Sequence, residues 1–468
     1  MRKLIVLMVF ALLAVVILPV TAQDDMEMVP YPGQHTECEH DLTGETITFY
    51  HFGDLSGPLG AITGPIVAAY DDAMAYHTEY GTLCGATVNY VNEDTGGDRE
   101  RTQAAYDRFT SEFDVQMLGL YASDDAELLF DQLAEDEIPV VISAGSVPGL
   151  YGEDGQSPGW IYATNPLYVD QLGDFCEYMV DNPDTFADPV IGYLGWPNAF
   201  GQAAFTPEAT AYCESLGVGF VATPELFNPA EPDIIVNVQN LTDAGANVLY
   251  VNALGPNGPG KVAQAMADLG IENEVHLAGV NWVMDTVSTG LTSQGAVNAE
   301  TGLPVIDGMY GSVPYSWWTE TDSPTVQFMT QQADLNERAA AVRGVTYMLT
   351  WGNIDLTIEA YIQTINSVGG LENVTGAALR ETMDNIDYQV MGGMYTANFQ
   401  EGAIRDVTNN RIAQMRFVNA TFDGLATSAD DAFVIEGAGL FLPTIVPVTE
   451  WGDTPDLRTG GADVPMDG

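Results

Sequence analysis

From residue 47 onward, short apolar runs of strand length alternate with stretches whose apolar residues return every three or four positions. Residues 47–52, rich in aromatic and β-branched side chains, predict a strand. Ile66, Ala69, Tyr70, Ala73 and Tyr76 then recur at helical spacing and predict a helix over 63–80. Strands at 86–91, 115–121 and 138–143 follow, separated by helices at 98–112 and 124–135. A Gly- and Pro-rich stretch at 148–160 interrupts the alternation, which then resumes. Helices at 167–180, 201–216, 233–244 and 261–269 fall among strands at 190–195, 218–222, 247–253 and 275–280. Strands separated by helices pair in parallel, so each series predicts a doubly wound α/β sheet, and two series predict two similar lobes. Beyond residue 307 the pattern changes to long helices at 325–342 and 352–367 and a strand-loop-strand region over 392–419. The Gly-, Pro- and Asp-rich end, 451–468, is expected to be a flexible tail.

The first residues read as an export signal. Arg2 and Lys3 precede an apolar stretch over 4–20, and Val20, Thr21 and Ala22 supply small residues for cleavage. An uncleaved anchor is the alternative, since 17 apolar residues lie near the lower limit for spanning; Pro19 favours cleavage. Removal of 1–22 leaves an acidic leader, 23–45, and a chain expected to be soluble outside the cytoplasm, periplasmic or extracellular. The first cysteine is Cys38, so no lipid anchor is expected at the cleavage point.

Charge narrows the partners. The chain carries 66 acidic against 13 basic residues, a net charge of −53. Neutralising phosphate requires Lys and Arg, so nucleic acid and anionic membranes are excluded. The acids are spread along the chain, which fits a high-salt setting that screens self-repulsion, or an acidic medium that discharges it. Of the four cysteines, Cys38 and Cys84 precede strands that start at one sheet edge and are able to meet. Cys176 and Cys213, on consecutive helices, either pair or remain buried thiols. Without a Cys-x-x-Cys or Cys/His cluster, neither a zinc nor a redox site is expected.

A strand ending at Asp54-Leu-Ser-Gly-Pro58 and a helix start at Thr63-Gly64 resemble the opening of the type I periplasmic binding proteins, the leucine/isoleucine/valine receptors of ABC transporters. The stretch Met117 to Asp124, the strand end Ile142 to Ser146, and Glu231-Pro-Asp233 before an amphipathic helix resemble the same family. So do the segments after Asn353, Leu371 and Met394. The resemblance implies two doubly wound parallel-sheet lobes joined by three crossover segments, near Ile161–Pro166, Gly311–Tyr315 and Tyr388–Gly393. It divides the chain into 46–162 plus 315–388 and 163–314 plus 389–450. It implies a non-catalytic, monomeric receptor without cofactor, which closes on a small ligand and hands it to a membrane permease. The ligand class is an amino acid or a relative of one: an amide, a urea-like compound, an aromatic or an organic acid. A sensing receptor of the same fold is the second reading and an exported hydrolase the remotest.

The resemblance also places ligand contacts, each with a plainer role beside it. Ser123 falls where the family holds a ligand carboxylate, and is equally a helix N-cap. Ala144, Gly145 and Ser146 end a strand where relatives meet carboxylate and amine, and are equally a tight turn. Phe200 matches a covering aromatic and is equally core. Ile62 stands where relatives carry an aromatic lid. Receptors for α-amino acids place a Glu after a strand of the second lobe; here Asn281 stands there and supplies no charge for an ammonium. A second aromatic is missing around Leu254 to Asn257. Asp124, Asp125 or Asp285 would have to serve as the anion, although solvated acids are the ordinary reading in so acidic a chain. Gly255 to Lys261 fits G-x-x-x-x-G-K, but Val262 replaces the Ser or Thr that holds magnesium, and two prolines remove phosphate-binding N–H groups. Lys261 is left as a candidate for an anionic ligand group. His51, inside the first strand, reads as a packed or cleft-edge residue rather than a base.

Overall fold

The computed structural model describes residues 28–57, 59–405 and 407–465. The expected signal peptide, 1–22, lies outside them. Among the described residues, no helix is long and apolar enough to cross a membrane.

The first sheet contains β1 (Thr46–Gly53), β2 (Thr87–Asp94), β3 (Leu118–Gly119), β4 (Val140–Ile142) and β5 (Ile161–Ala163), in the order β2-β1-β3-β4-β5. Every pairing is parallel, with Tyr50 beside Leu118 and Val140 beside Ile161. The connecting helices begin and end on local signals. Asp98 caps the helix Arg99–Glu112 by accepting from the N–H groups of Glu100 and Arg101. Gly81, in the left-handed region at φ 61°, ends the helix Gly60–Tyr80.

The second sheet contains β6 (Val190–Gly195), β7 (Gly219–Phe220), β8 (Glu225–Leu226), β9 (Val248–Asn252), β10 (His276–Gly279) and β11 (Tyr310–Ser312). Its neighbours pair in parallel, and β9 is buried along its whole length, as a strand covered by helices on both faces must be. Late in the chain come a hairpin, β12 (Asp387–Val390) with β13 (Tyr395–Asn398), and then β14 (Ile412–Phe417) and β15 (Pro443–Pro447). The last two extend the second sheet beyond β11 as an antiparallel ribbon. Periodicity predicts the longer parallel strands but not the short β5, β8 and β11; β14 falls in the strand-loop-strand region expected over 392–419, whereas nothing predicts β15 or the ribbon. Its strands pair with partners reached through long irregular stretches, which carry no local signature.

Three passages join the sheets. The chain leaves β5 for the helix Tyr168–Asp181, and leaves β11 for the long helix Val345–Val368, which packs on Gly60–Tyr80. The third passage differs from the expected Tyr388–Gly393. Those residues lie in or at the turn of the β12–β13 hairpin, which is held to the helix Val345–Val368: Asp355 Oδ2 accepts from Met391 N at 2.6 Å and Asn353 Oδ1 from the Tyr395 hydroxyl at 3.0 Å. The chain reaches the second sheet only after Phe399. On the way, Ala163 N donates to the Ile404 carbonyl at 2.8 Å, so the first and third passages run side by side.

The predicted helix over 201–216 is two helices, Ala199–Gln202 and Pro207–Leu216, because Thr206 caps the second and Pro207 starts it. The helix predicted over 325–342 ends at Leu335. Both disulfides form, Cys38–Cys84 and Cys176–Cys213. The leader is tied down as well: Tyr31 and His35 both bond to the buried Asp355, the latter at 2.6 Å, and Thr36 N donates to Glu359 at 2.8 Å.

The tail is docked over most of its described length. Leu457 is 1% exposed and packs over Gly173, where a Cβ would lie 2.5 Å from Leu457 Cδ1. Asp456 meets Arg405, and Thr459 Oγ1 donates to Glu208 at 2.8 Å. Arg405 is the centre of this region. Its buried guanidinium reaches Asp170 at 2.7 Å, the Tyr151 hydroxyl at 2.7 Å and Asp456 at 2.6 Å. Arg405→Ala leaves the fully buried Asp170 carboxylate without its cation. A loss of roughly 3–5 kcal/mol is expected on denaturant unfolding.

Asp174 lies nearby, accepting from Asn410 Nδ2 of the third passage at 2.5 Å. Burial, reinforced by Glu177, pushes its carboxyl up to about 7. Because the folded state holds this proton above the ordinary pKa of 3.8, the group's contribution to stability is full below about pH 4 and is lost as pH rises towards 7. Asp174→Asn should remove that loss. Unfolding curves of variant and unsubstituted protein should differ little at pH 4 and should separate in favour of the variant by pH 8.

Candidate ligand-binding cleft

The carboxyl ends of both sheets face each other, and parallel sheets gather their functional loops there. From the first lobe, the turn after β3 supplies Tyr121, Ala122, Ser123 and Asp124, where the helix Ser123–Glu135 begins, and Leu59 lies at the start of the helix Gly60–Tyr80. From the second lobe come Asn198 and Phe200 after β6, Leu254 after β9, Trp282 after β10, and Tyr168 in the first turn of its helix. Together they line a small cavity between the lobes.

Four of the ten lining residues are aromatic. Tyr121 meets Trp282 edge-on, with ring centres 5.3 Å apart, and Tyr168 meets Phe200 the same way at 5.4 Å. Such pairs add about 0.5–1.5 kcal/mol beyond area burial. The Trp282 indole N–H donates to the Tyr168 hydroxyl at 2.9 Å, which fixes both rings. Burial raises the Tyr168 phenol, while the nearby Ser123 hydroxyl and the Trp282 indole pull it down. Ser123 Oγ is itself buried and makes no standard hydrogen bond. A buried hydroxyl in that condition is poised to bond a ligand or a water.

The carboxylates near the cleft each accept from donors of the protein itself. Asp285 accepts from Val287 N at 2.6 Å, Ser288 N at 3.3 Å and Val345 N at 3.2 Å, although burial still raises its pKa. Asp125 accepts from Thr102 Oγ1 at 2.8 Å and is pushed up to about 6 by burial. Asp124 accepts from Asn198 Nδ2 at 3.1 Å and Ala199 N at 3.2 Å, both across the cleft.

Of the residues singled out in the sequence, Ser123, Asp124 and Phe200 come together on this cavity. The others sit elsewhere. Ser146 caps the helix Val147–Tyr151 through Gly149 N and donates to Glu127 at 2.6 Å, so its hydroxyl is occupied. Ala144 is buried and Gly145 lies against Leu150. Ile62 packs inside its helix while its carbonyl accepts from Thr346, and Leu59, one turn earlier, lines the cavity instead. Asn281 is buried beside the cavity-lining Trp282; its N–H donates to Gln171 at 2.8 Å, and neither amide atom of its side chain has a partner. Lys261 donates to the carbonyls of Pro229 and Glu231, far from the role of an anion holder. His51 is buried, bonded to Asn92 at 2.6 Å, and held neutral by burial, its pKa falling to about 4. It lines a second cavity, behind the first sheet, that shares Tyr121 with the cleft.

Sequence reasoning missed Tyr121, Tyr168 and Trp282. Two of them stood within two residues of singled-out positions, Tyr121 before Ser123 and Trp282 after Asn281. Tyr168 carried no signal beyond opening a predicted helix. Among the described residues, no group of three His, Cys, Asp or Glu side chains is arranged to hold a metal ion.

Two α/β lobes with a polar-and-aromatic cleft at their strand ends define a hinged solute-binding architecture. Residues 46–424 match the family model described as periplasmic binding protein, and the chain belongs to that family. Solved structures agree on the fold. A branched-chain amino acid ABC transporter protein from Thermus thermophilus with bound valine is 15% identical, with TM-score 0.66, covering 88% of this chain and 97% of that one. A fatty acid ABC transporter substrate-binding protein from Thermomonospora curvata is 15% identical, TM-score 0.68, covering 92% and 98%. A solute-binding protein from Rhodopseudomonas palustris HaA2 in complex with p-hydroxybenzoic acid is 15% identical, TM-score 0.63, covering 88% and 98%. No functionally curated sequence matches significantly.

Proposed function

We propose that the chain is an exported, monomeric receptor of an ABC importer that closes its interlobe cleft on a small organic acid with a flat or apolar body. The observation that carries this reading is the composition of the cavity: four aromatic rings, a buried Ser123 hydroxyl without a standard hydrogen bond, and carboxylates, Asp124 and Asp285, that already hold backbone or side-chain N–H donors. An α-amino acid would bury its charged amine beside Asn281 and the committed Asp285, and an unpaired buried charge is costly. An organic acid needs only hydrogen-bond donors at one end, which Ser123 and the start of its helix supply. One neighbour is named for fatty acid transport and another is in complex with p-hydroxybenzoic acid, while the one with bound valine shows that the same fold also takes an amino acid. Its role is capture and delivery to a permease rather than turnover. Ligand drives closure only by binding the closed form better than the open one.

Thermal shift with hydroxybenzoates, medium-chain fatty acids, leucine and valine tests the ligand class. An acid present at a hundred times its Kd stabilises the protein by about 2.7 kcal/mol, whereas leucine and valine should leave the Tm unchanged. Phe200→Ala, which removes one ring of the wall, should weaken the best acid at least about tenfold. A strong shift with valine and none with any acid would overturn the proposed ligand class.

A further inference from the structure

The Tyr121–Asp124 turn touches both lobes. Tyr121 reaches Trp282, and both carboxylate oxygens of Asp124 accept hydrogen bonds from the opposite side, Oδ2 from Asn198 Nδ2 and Oδ1 from Ala199 N. Asn198 is itself held in place, because its Oδ1 accepts from Gly201 N at 2.8 Å and caps the helix Ala199–Gln202. One end of the amide therefore fixes a turn of the second lobe, and the other end points at the first lobe.

We propose that Asp124 is a positioning residue, a latch that draws the lobes together through the protein's own atoms, so that part of the closed population exists before any ligand arrives. This rests on the cleft being the ligand site, but not on which ligand fills it. Three observations support the latch. An ionised acceptor strengthens each of the two bonds relative to neutral pairs. The contact is part-buried on the cavity wall, where water competes less than at an open surface. In a chain of net charge −53, a carboxylate pointed at a facing lobe would ordinarily oppose closure; here it meets two N–H donors. For a receptor whose competent form is only fractionally populated, apparent affinity scales with that fraction, so a contact that raises the fraction raises affinity without touching ligand.

The test measures closure directly. Spin labels attached through Ser111→Cys and Ser215→Cys, on exposed positions of the two lobes, report the interlobe distance distribution without ligand. Asp124→Ala and Asn198→Ala should each raise the open-to-closed ratio at least about tenfold, the size expected for losing bonds to a charged group. The double variant should go little beyond Asp124→Ala, since both changes remove one shared contact. Asp124→Asn, which keeps an acceptor without the charge, should fall between. Unfolding curves confirm that each variant is folded at the measuring temperature. A distribution for Asp124→Ala that superimposes on that of the unsubstituted protein would overturn the latch. If Asp124→Ala opens the protein while no small molecule stabilises either form, the latch stands and the assignment of the cleft as a ligand site falls.

Discussion

The buried guanidinium of Arg405 is the contact on which the two-lobed arrangement turns. It lies on the third passage, beside the first passage at Ala163, and bonds to Asp170 in the first helix of the second lobe, to Tyr151 at the end of the first lobe, and to Asp456 of the tail. Asp170 in turn accepts from Leu167 N and Leu457 N. A charged fork with this many fixed partners tolerates small rotations of the lobes but not separation of the strands it joins. Buried ion pairs add little net stability compared with apolar packing, yet they are exacting about geometry. That property suits the join between bodies that must move along one path.

The same economy of cations holds elsewhere. Arg338 bonds to Asp72 between the helices of the first lobe, Arg411 to Glu320 and the Tyr315 carbonyl, and Arg416 to Asp307. Lys261 holds two carbonyls. Few cations remain for the surface, which is left acidic, and the cavity between the lobes is lined by hydroxyls, an amide, ring faces and the Asp124 carboxylate, with no lysine or arginine.

The leader shows a second buried charge at work. Asp355, in the middle of the helix Val345–Val368, gathers Tyr31, His35 and Met391 N, so one carboxylate ties the leader and the β12–β13 hairpin to that helix. Burial opposes its ionisation, but the His35 and Tyr31 contacts outweigh it and hold its carboxyl below the usual range. His35 is correspondingly raised by Asp355 against its own desolvation. The acidic leader is thus structural, stitched by Cys38–Cys84 at its far end.

The alternation of strand-length and helix-length apolar runs was enough to determine two successive parallel α/β units and the place of the first break, because these depend on neighbours within a few residues. The family resemblance, not the alternation, pointed to Ser123 and Phe200 as cleft residues and offered Asp124 as an anion. Only the tertiary structure decided what those residues touch. The antiparallel ribbon of β14 and β15, the docking of the tail on Gly173, and the gathering of Tyr121, Tyr168 and Trp282 all join residues far apart in the chain. No local period encodes such contacts. Ser146 illustrates the limit: its type and position suit a ligand contact, but Glu127 and Gly149, brought against it by packing, take its hydroxyl first.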